Sequence, residues 1–211
     1  MNNISTVLVL GPHTDDGEFG CGATIARFIE EGKDVHYITF SACEESVPEE
    51  FDKEILLKEV KTASSILGIK KENLTNLRYK VRYFPRNRQE ILEDMIKIKK
   101  KINPDLVILP NGNDVHQDHN TIYTEGIRAF KNCTILGYEL PWNNLEFKSN
   151  FHIKVSKNNI DLKLKAIECY KSQGFRKYLN NEFLIGLART RGVQISEEFA
   201  EAFTLIRAII R

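Results

Sequence analysis

The sequence predicts an α/β protein in which a mostly parallel β-sheet lies between layers of helices. Two short apolar runs, Thr6–Leu10 and Asp105–Leu109, are each followed by a polar loop and then by residues of helical periodicity. Strand, loop and helix in this order form right-handed crossovers between parallel strands. The loops after parallel strands meet at one edge of the sheet, where open α/β proteins bind their ligands.

The first three elements follow from local patterns. Thr6–Leu10 is brief and ends at Gly11-Pro12, which fits a buried strand better than a helix. Apolar residues at helical spacing predict a helix over Gly20–Gly32, whose last glycine suits a C-terminal cap. Strand chemistry returns over Asp34–Ser41 and completes a first strand, helix and strand unit.

The middle of the chain repeats this pattern. Apolar residues at helical offsets predict helices over Phe51–Gly68 and Gln89–Ile102, and the segment Leu74–Phe84 between them is either a strand or an extended loop. The other predicted elements are the strand Asp105–Leu109, the polar loop Pro110–Asn120, a helix ending at Phe130, strands at Thr134–Leu140 and Phe151–Val155, and mainly helix from Ile160 onwards.

Composition limits the classes of protein that fit the chain. Its 211 residues, 42% of them hydrophobic, are enough for one sizeable core, so a single domain over residues 1–211 is expected. Thirty basic against 29 acidic residues argue against a dedicated nucleic-acid binder. No apolar run approaches the ~20 residues of a spanning helix and no secretory signal is evident, so the expected compartment is the cytoplasm. Four scattered cysteines indicate neither a disulfide scaffold nor a thiolate zinc site.

Three of the five histidines lie in the two polar loops that follow predicted strands. His13 is followed by Asp15 and Asp16, and the second loop contains His116 and His119. Taken alone, either motif fits a helix cap or a turn at least as well as a metal site. Because a parallel sheet brings both loops to one edge, the pair favours a metal site. Two imidazoles and one carboxylate suit Zn²⁺, and catalytic zinc uses three protein ligands and a water.

These motifs carry a resemblance to a known family. The segment GPHTDDGEFGCGA resembles the AHPDDExxGCGG signature of the LmbE-like, or PIG-L, family of zinc-dependent N-acetylglucosaminyl deacetylases, and HQDH resembles its later HPDH motif. The segments GKDVHYITFS, INPDLVILP and ARTRGVQISEEFAEAF follow in the expected order, so the resemblance covers most of the chain. It implies a Rossmann-like three-layer sandwich with catalytic loops at the carboxyl ends of the strands.

The resemblance also implies a role for each motif residue. His13, Asp16 and His119 would bind Zn²⁺ or another divalent ion, Asp15 would be the general base, and His116 would stabilise the oxyanion or transfer a proton. A metal-bound water and a nearby carboxylate are a workable pair for amide hydrolysis. The implied substrate is an N-acyl, most simply N-acetyl, amino sugar, either a small molecule or linked to a nucleotide or lipid. Members of the family often form homo-oligomers.

Three motif positions depart from the family pattern. Thr14 and Gln117 replace prolines, and Gly17 stands where a glutamate follows the two aspartates. None of these changes removes a predicted ligand or the base. Loss of the glutamate is expected to alter loop rigidity or metal affinity rather than the reaction class.

Other residues have a functional and a structural interpretation. Asp114 either orients the imidazole of His116 and keeps it charged, or forms a local Asx-turn. Arg82 and Arg86 could meet a phosphate or carboxylate on the substrate, although solvated surface arginines are more common. Trp142 could stack on a sugar face, and a core position is preferred for it.

Three alternative functions remain open at this point. One keeps the metal and changes the substrate to another amide or an ester. Another is a non-catalytic sugar-binding module, against which the presence of both Asp15 and His116 argues. The last is a redox or nucleotide-binding protein, which the incomplete glycine pattern around Gly20 and Gly22 disfavours.

Overall fold

The computed structural model describes residues 4–209, so residues 1–3 and 210–211 of the predicted domain lie outside it. The strands over these residues are β1 (Thr6–Gly11), β2 (Asp34–Thr39), β3 (Leu74–Asn76), β4 (Leu106–Pro110), β5 (Thr134–Tyr138), β6 (Phe151–Lys154) and β7 (Ala200–Arg207). The α-helices are α1 (Asp16–Glu30), α2 (Ile55–Leu67), α3 (Arg88–Ile102), α4 (Gln117–Ala129), α5 (Lys157–Ile167) and α6 (Asn181–Val193).

The strands form one sheet in the order β3-β2-β1-β4-β5-β7-β6. The first five strands in this order are parallel, whereas β7 runs antiparallel to both β5 and β6. The chain passes from β1 outwards to β2 and β3, and then returns to place β4 on the other side of β1. The loops after β1 and β4 therefore diverge at a topological switch point, where open sheets form a ligand-binding crevice.

Side chains of the central strands alternate between two cores. Val7 and Val9 of β1 contact the core covered by α1, α2 and α5, whereas Leu8 and Leu10 contact the core covered by α3 and α4. All four are fully buried. Because successive strand residues point to opposite faces, a strand buried on both faces is apolar throughout. The predicted mostly parallel sheet between helical layers is confirmed.

Two helices begin earlier than the apolar periodicity predicts. α1 begins at Asp16 rather than at Gly20, and α4 begins at Gln117, inside the predicted loop Pro110–Asn120. Their first turns carry the polar motif residues, which contribute little to an apolar stripe. As a result, Asp16 and His119 lie on the first turns of helices, where the backbone holds them more firmly than a loop would.

The C-terminal segment is a strand where the sequence predicts mainly helix. β7 inserts between β5 and β6, and its first four residues, Ala200–Phe203, are buried. Alanine and glutamate in this segment are good helix formers, so local propensity favours the wrong element. Pairing with β5 and β6, which are distant in sequence, decides the strand.

A buried ion pair lies beside a kink that follows the first turn of α1. The backbone at Cys21 has φ −152°, outside helical values. Glu201 of β7 accepts a hydrogen bond of 2.7 Å from the N–H of Thr24, and Lys163 of α5 donates to the carbonyl of Phe19 at 2.7 Å and to Glu201 at 2.6 Å. These side chains replace helical hydrogen bonds lost at the kink. The first turn of α1 is therefore oriented by α5 and β7 as well as by its own helix.

Candidate metal centre and active site

The loops after β1 and β4 bring the predicted ligands together. His13 lies between β1 and α1, and Asp16 is the first residue of α1. His116 precedes α4, and His119 lies on its first turn. Residues about one hundred positions apart in the sequence thus share one cluster, as the parallel sheet predicts.

Three donor atoms of this cluster have the spacing of a metal site. His13 Nδ1 and His119 Nε2 lie 3.2 Å and 3.4 Å from Asp16 Oδ2. The two nitrogens are 3.2 Å apart. Around a tetrahedral ion with bonds of about 2.0–2.1 Å, neighbouring donors are about 3.3–3.4 Å apart. The cluster is therefore compatible with three of the four positions around one divalent ion.

His116 contributes a third imidazole to the same region. Ring nitrogens of His13, His116 and His119 lie within 4.8 Å of one another, a looser set than the one containing Asp16. The Nδ1 atom of His116 accepts a hydrogen bond of 3.1 Å from the backbone N–H of Asp118 and so caps α4. The spacing of the set with Asp16 matches the tetrahedral spacing more closely.

A buried carboxylate orients the imidazole of His13, and another orients the imidazole of His119. His13 Nε2 lies 3.2 Å from Asp118 Oδ2, and His119 Nδ1 lies 2.7 Å from Asp114 Oδ2. These contacts hold the N–H at the far side of each ring and leave the nearer nitrogen free to bind an ion. Asp118 is fully buried and also accepts the backbone N–H of Arg82 at 2.6 Å.

Asp114 serves a different imidazole from the one that the sequence suggests. Its Oδ2 atom contacts the ring of His119, while Oδ1 accepts the backbone N–H of His116 at 2.8 Å. The predicted Asx-turn is therefore present, but the predicted contact with the His116 ring is wrong. The turn places His116 directly before α4. The ring of His119, about one helical turn later, therefore faces the carboxylate of Asp114.

Asp15 lies next to the donor set without joining it. It occupies the N-cap position of α1 but forms no side-chain cap hydrogen bond, and it lines the cavity above the cluster. Burial and the negative charge of Asp16 raise the pKa of Asp15 to about 6, although the charges of His13 and Arg176 oppose the shift. The structure therefore leaves this carboxyl available to exchange a proton near neutral pH.

The surroundings of His116 favour a neutral ring, whereas one sequence-based interpretation of Asp114 keeps this imidazole charged. Burial, followed by the neighbouring charges of His13 and His119, lowers the pKa of His116 to about 4. A neutral ring also agrees with Nδ1 accepting the capping hydrogen bond, because the proton then resides on Nε2. In its neutral form the His116 ring has Nε2–H as its remaining donor.

The cavity over the cluster is open to solvent and includes residues that sequence reasoning missed. Arg82 lines it, whereas Arg86 does not and instead lies over the ring of Tyr83 at 5.0 Å. Trp142 lines the cavity and stacks on Tyr178 with ring centroids 3.9 Å apart, and it also packs against the core. Tyr178 and Arg176 come from the segment before α6, which carries no motif that could reveal them.

Comparison with known proteins decides the family. Residues 8–130, more than half of the chain, match the family model described as "PIG-L: GlcNAc-PI de-N-acetylase". The chain belongs to the PIG-L family. The class of enzyme predicted from the sequence, an N-deacetylase, is therefore confirmed at the level of the family.

Individual relatives agree with this placement. The chain is 29% identical over 182 residues to the uncharacterized deacetylase YaiS of Escherichia coli (strain K12), covering 81% of this chain and 93% of the relative. It is 25% identical over 194 residues to a diacetylchitobiose deacetylase of Thermococcus kodakarensis, covering 82% of this chain and 71% of the relative. The solved N,N′-diacetylchitobiose deacetylase of Pyrococcus horikoshii, in complex with its inhibitor MPG, superimposes with a TM-score of 0.82 at 26% identity, covering 97% of this chain and 85% of that one.

A buried glutamate, Glu18, directly follows Gly17 in this chain. Glu18 is fully buried, and burial raises its pKa to about 8. The hydroxyls of Tyr37 and Tyr170 each lie 3.0 Å from a carboxyl oxygen of Glu18. The Tyr37 hydroxyl also lies 3.0 Å from the carbonyl oxygen of Thr14, and the Tyr170 hydroxyl lies 2.7 Å from it. This network fixes the loop between β1 and α1. The expectation that Gly17 alters loop rigidity or metal affinity stays a prediction.

Gly17 itself makes room for one of these tyrosines. A Cβ atom at position 17 would lie 2.7 Å from the ring of Tyr37. We therefore expect Gly17→Ala to destabilise the fold by about 1–3 kcal/mol through overpacking. In an open helix the same change is stabilising by about 0.8–1 kcal/mol. Urea denaturation measures the free energy of unfolding.

Gly186 in α6 provides the matched control for this prediction. A Cβ atom there would meet nothing within 4 Å, so Gly186→Ala is expected to be neutral or stabilising. Equal stabilisation by both substitutions would show that the ring of Tyr37 does not constrain position 17.

The other two departures from the PIG-L signature fit their places in the fold. Gln117 is exposed at the first position of α4, where the backbone N–H needs no helical partner and proline is favoured but not required. Thr14 is buried, and its carbonyl is held by the tyrosine hydroxyls. Over residues 4–209, no helix has the length and apolar character needed to cross a membrane.

Proposed function

We propose that this chain is a metal-dependent deacetylase that hydrolyses the acetyl group from the nitrogen of an amino sugar. The proposal rests chiefly on one observation. The donor atoms of His13, Asp16 and His119 lie 3.2–3.4 Å apart beside the uncapped carboxyl of Asp15, in a cavity open to solvent. A general base next to a metal site is the arrangement that hydrolysis requires.

The ion that we propose is Zn²⁺, with other divalent ions as alternatives. Two imidazoles and one carboxylate form a ligand set that suits zinc. His13, Asp16 and His119 would hold the ion. When bound, it would polarise the acyl oxygen and lower the pKa of a water molecule to about 7.

Asp15 is the proposed general base and then the general acid. Its carboxylate removes a proton as the oxygen of water adds to the acyl carbon. The same proton then passes to the amine nitrogen as the C–N bond breaks, which yields acetate and the free amine. A pKa of about 6 for Asp15 suits both transfers, because the carboxyl gains and loses a proton readily near neutral pH.

His116 is proposed to stabilise the developing negative charge on the acyl oxygen. With Nδ1 engaged by the N–H of Asp118, the Nε2–H group is the donor that remains. A neutral donor suffices for this role, since preorganised N–H groups stabilise oxyanions without carrying a full charge. This proposal replaces the charged His116 expected from the sequence.

The amino-sugar substrate is supported by the relatives and by the cavity wall. Two of the relatives are diacetylchitobiose deacetylases. The stacked rings of Trp142 and Tyr178 provide an aromatic surface beside the cluster. Such surfaces suit molecules with one apolar face and polar edges, as sugars have.

The function can be tested with the full chain loaded with zinc. Acetate and free amine are measured with N-acetylglucosamine and N,N′-diacetylchitobiose, with an acetate ester and a simple N-acetylated amine as comparison substrates. Equimolar acetate and amine from a sugar is the expected result. Release from the comparison substrates alone would indicate a different hydrolase, and sugar binding without release would indicate a binding module.

The carboxylates behind the imidazoles are expected to control metal affinity. We expect Asp114→Asn and Asp118→Asn each to weaken metal binding by roughly 10–100-fold, because the imidazoles lose their fixed orientation. Competition with a chromophoric chelator measures this affinity.

Asp161→Asn is the matched control, since Asp161 lies on α5 away from the cavity and pairs with Lys157. Unchanged metal affinity in Asp114→Asn and Asp118→Asn, with the fold intact by circular dichroism, would contradict the proposal that these carboxylates orient the imidazoles.

A further inference from the structure

Two arginines that line the cavity form no ion pair with a carboxylate of the described residues. Arg82 precedes α3 and Arg176 precedes α6, so different segments of the chain carry them to the same cavity. Arg82 donates to the hydroxyl of Ser46 at 3.1 Å, and Arg176 contacts the amide oxygen of Gln173 at 3.4 Å. Both partners are neutral. Within residues 4–209, neither guanidinium forms an ion pair with an acidic side chain.

Most other arginines of the described chain are neutralised. Ion pairs with carboxylates involve Arg27, Arg78, Arg88, Arg128, Arg189 and Arg191. The two cavity arginines therefore differ from the usual surface arginine of this protein. A guanidinium with free N–H groups is a donor fork that matches the paired oxygens of a carboxylate or phosphate.

The backbone at Arg82 is held in an unfavourable conformation. Its φ of +70° lies in the left-handed region, which residues other than glycine rarely adopt. The N–H of Arg82 donates to Asp118 Oδ2 at 2.6 Å, and Asp118 also contacts the ring of His13. The carboxylate that orients a proposed metal ligand thus also fixes the residue that carries this guanidinium. Strained residues held by a buried partner are concentrated at functional sites.

Arg176 lies beside the aromatic wall of the cavity. Tyr178 is two residues further along the chain and stacks on Trp142. An aromatic face and a neighbouring cation together provide the contacts that a sugar ring with an anionic substituent requires.

We propose that the cavity binds an anionic N-acylated amino sugar, in which a phosphate or carboxylate substituent is held by Arg82 and Arg176. This inference rests on the proposed deacetylase function and specifies its substrate class. The amide of such a substrate lies beside the proposed metal ligands, and its sugar ring lies against Trp142 and Tyr178. The anionic substituent contacts the guanidinium groups of Arg82 and Arg176.

Paired substrates that differ in charge test this inference. With zinc-loaded full-length protein, kcat/KM is measured for N-acetylglucosamine, its 1-phosphate, its 6-phosphate and its 3-O-lactyl derivative. The phosphates and the carboxylate distinguish the two sources of negative charge. We expect at least one anionic sugar to exceed the neutral sugar by about tenfold or more, as charge-assisted bidentate contacts imply.

Variants of the two arginines test whether Arg82 and Arg176 cause the preference for anionic sugars. In Arg82→Gln and Arg176→Gln, the ratio of anionic to neutral kcat/KM should fall by about tenfold, mainly through KM. Arg176→Lys should restore part of the ratio. Arg86→Gln is the matched control, since Arg86 lies in the same segment as Arg82 but outside the cavity lining, and its ratio should stay at the wild-type value.

A binding measurement separates this inference from the deacetylase proposal. Trp142 is the single tryptophan of the chain and lines the cavity, so its fluorescence reports sugar binding without turnover. If no sugar is deacetylated, arginine-dependent binding of the anionic sugars still supports the anion site while the proposed reaction fails. Equal kcat/KM and affinity for neutral and anionic sugars, or a preference that survives both glutamine variants, would overturn the inference.

Discussion

Asp15→Asn is expected to reduce kcat by about 10²–10⁴-fold while the protein retains its metal. Asparagine keeps the shape of the side chain but cannot accept the proton of the attacking water. The proposed ligand atoms belong to His13, Asp16 and His119, so they remain in place. Steady-state kinetics at saturating sugar concentration and metal content by atomic spectroscopy measure the two effects separately.

Asp161→Asn serves as the control for this substitution, because Asp161 lies on α5 and pairs with Lys157. Two results would contradict the role of Asp15. Wild-type kcat in the variant would show that another group accepts the proton, and loss of metal together with activity would indicate that Asp15 is itself a ligand.

Replacement of a proposed metal ligand is expected to weaken metal binding strongly and to abolish activity. We expect His13→Ala, Asp16→Ala and His119→Ala each to weaken metal affinity beyond the roughly 10–100-fold range that follows loss of an orienting carboxylate. Each change removes one of the donors that lie 3.2–3.4 Å apart, and two protein ligands are too few for a stable catalytic zinc site. Equilibrium dialysis against Zn²⁺ measures the affinity.

His116→Ala distinguishes the two donor sets that the cluster contains. If Asp16 is a ligand, the His116 variant keeps its metal and loses only part of its turnover. Loss of metal in His116→Ala, with retention in Asp16→Ala, would instead assign the ion to the three imidazoles. His152→Ala is the imidazole control, since His152 lies on β6 and contacts Gln194.

Elements with a clear local pattern could be predicted closely from the sequence. β1, β2, β4 and α3 lie within a few residues of their predicted bounds because buried parallel strands and amphipathic helices leave continuous or periodic apolar patterns. The same reasoning fails for β7, where alanine and glutamate favour helix and only the pairing with β5 and β6 selects a strand. The residues that line the cavity from the segment before α6 carry no recognisable pattern either.

The partners of individual polar groups could not be predicted. Asp114 lies two residues before His116 in the sequence, yet its carboxylate contacts the ring of His119. Asp118 reaches His13 across the sheet edge. Both contacts depend on where helix α4 begins, and its first turn lacks the apolar spacing that marks a helix.

The sequence alone determined the order of the main strands and helices, the edge of the sheet that carries the polar loops, and the residue types that can bind a metal ion. These properties follow from hydrophobic periodicity and from the chemistry of each side chain. The tertiary structure alone decided which carboxylate orients which imidazole, which arginines reach the cavity, and that the last segment is a strand. Such features depend on distances of a few ångströms between residues far apart in the chain, and a linear pattern does not contain those distances.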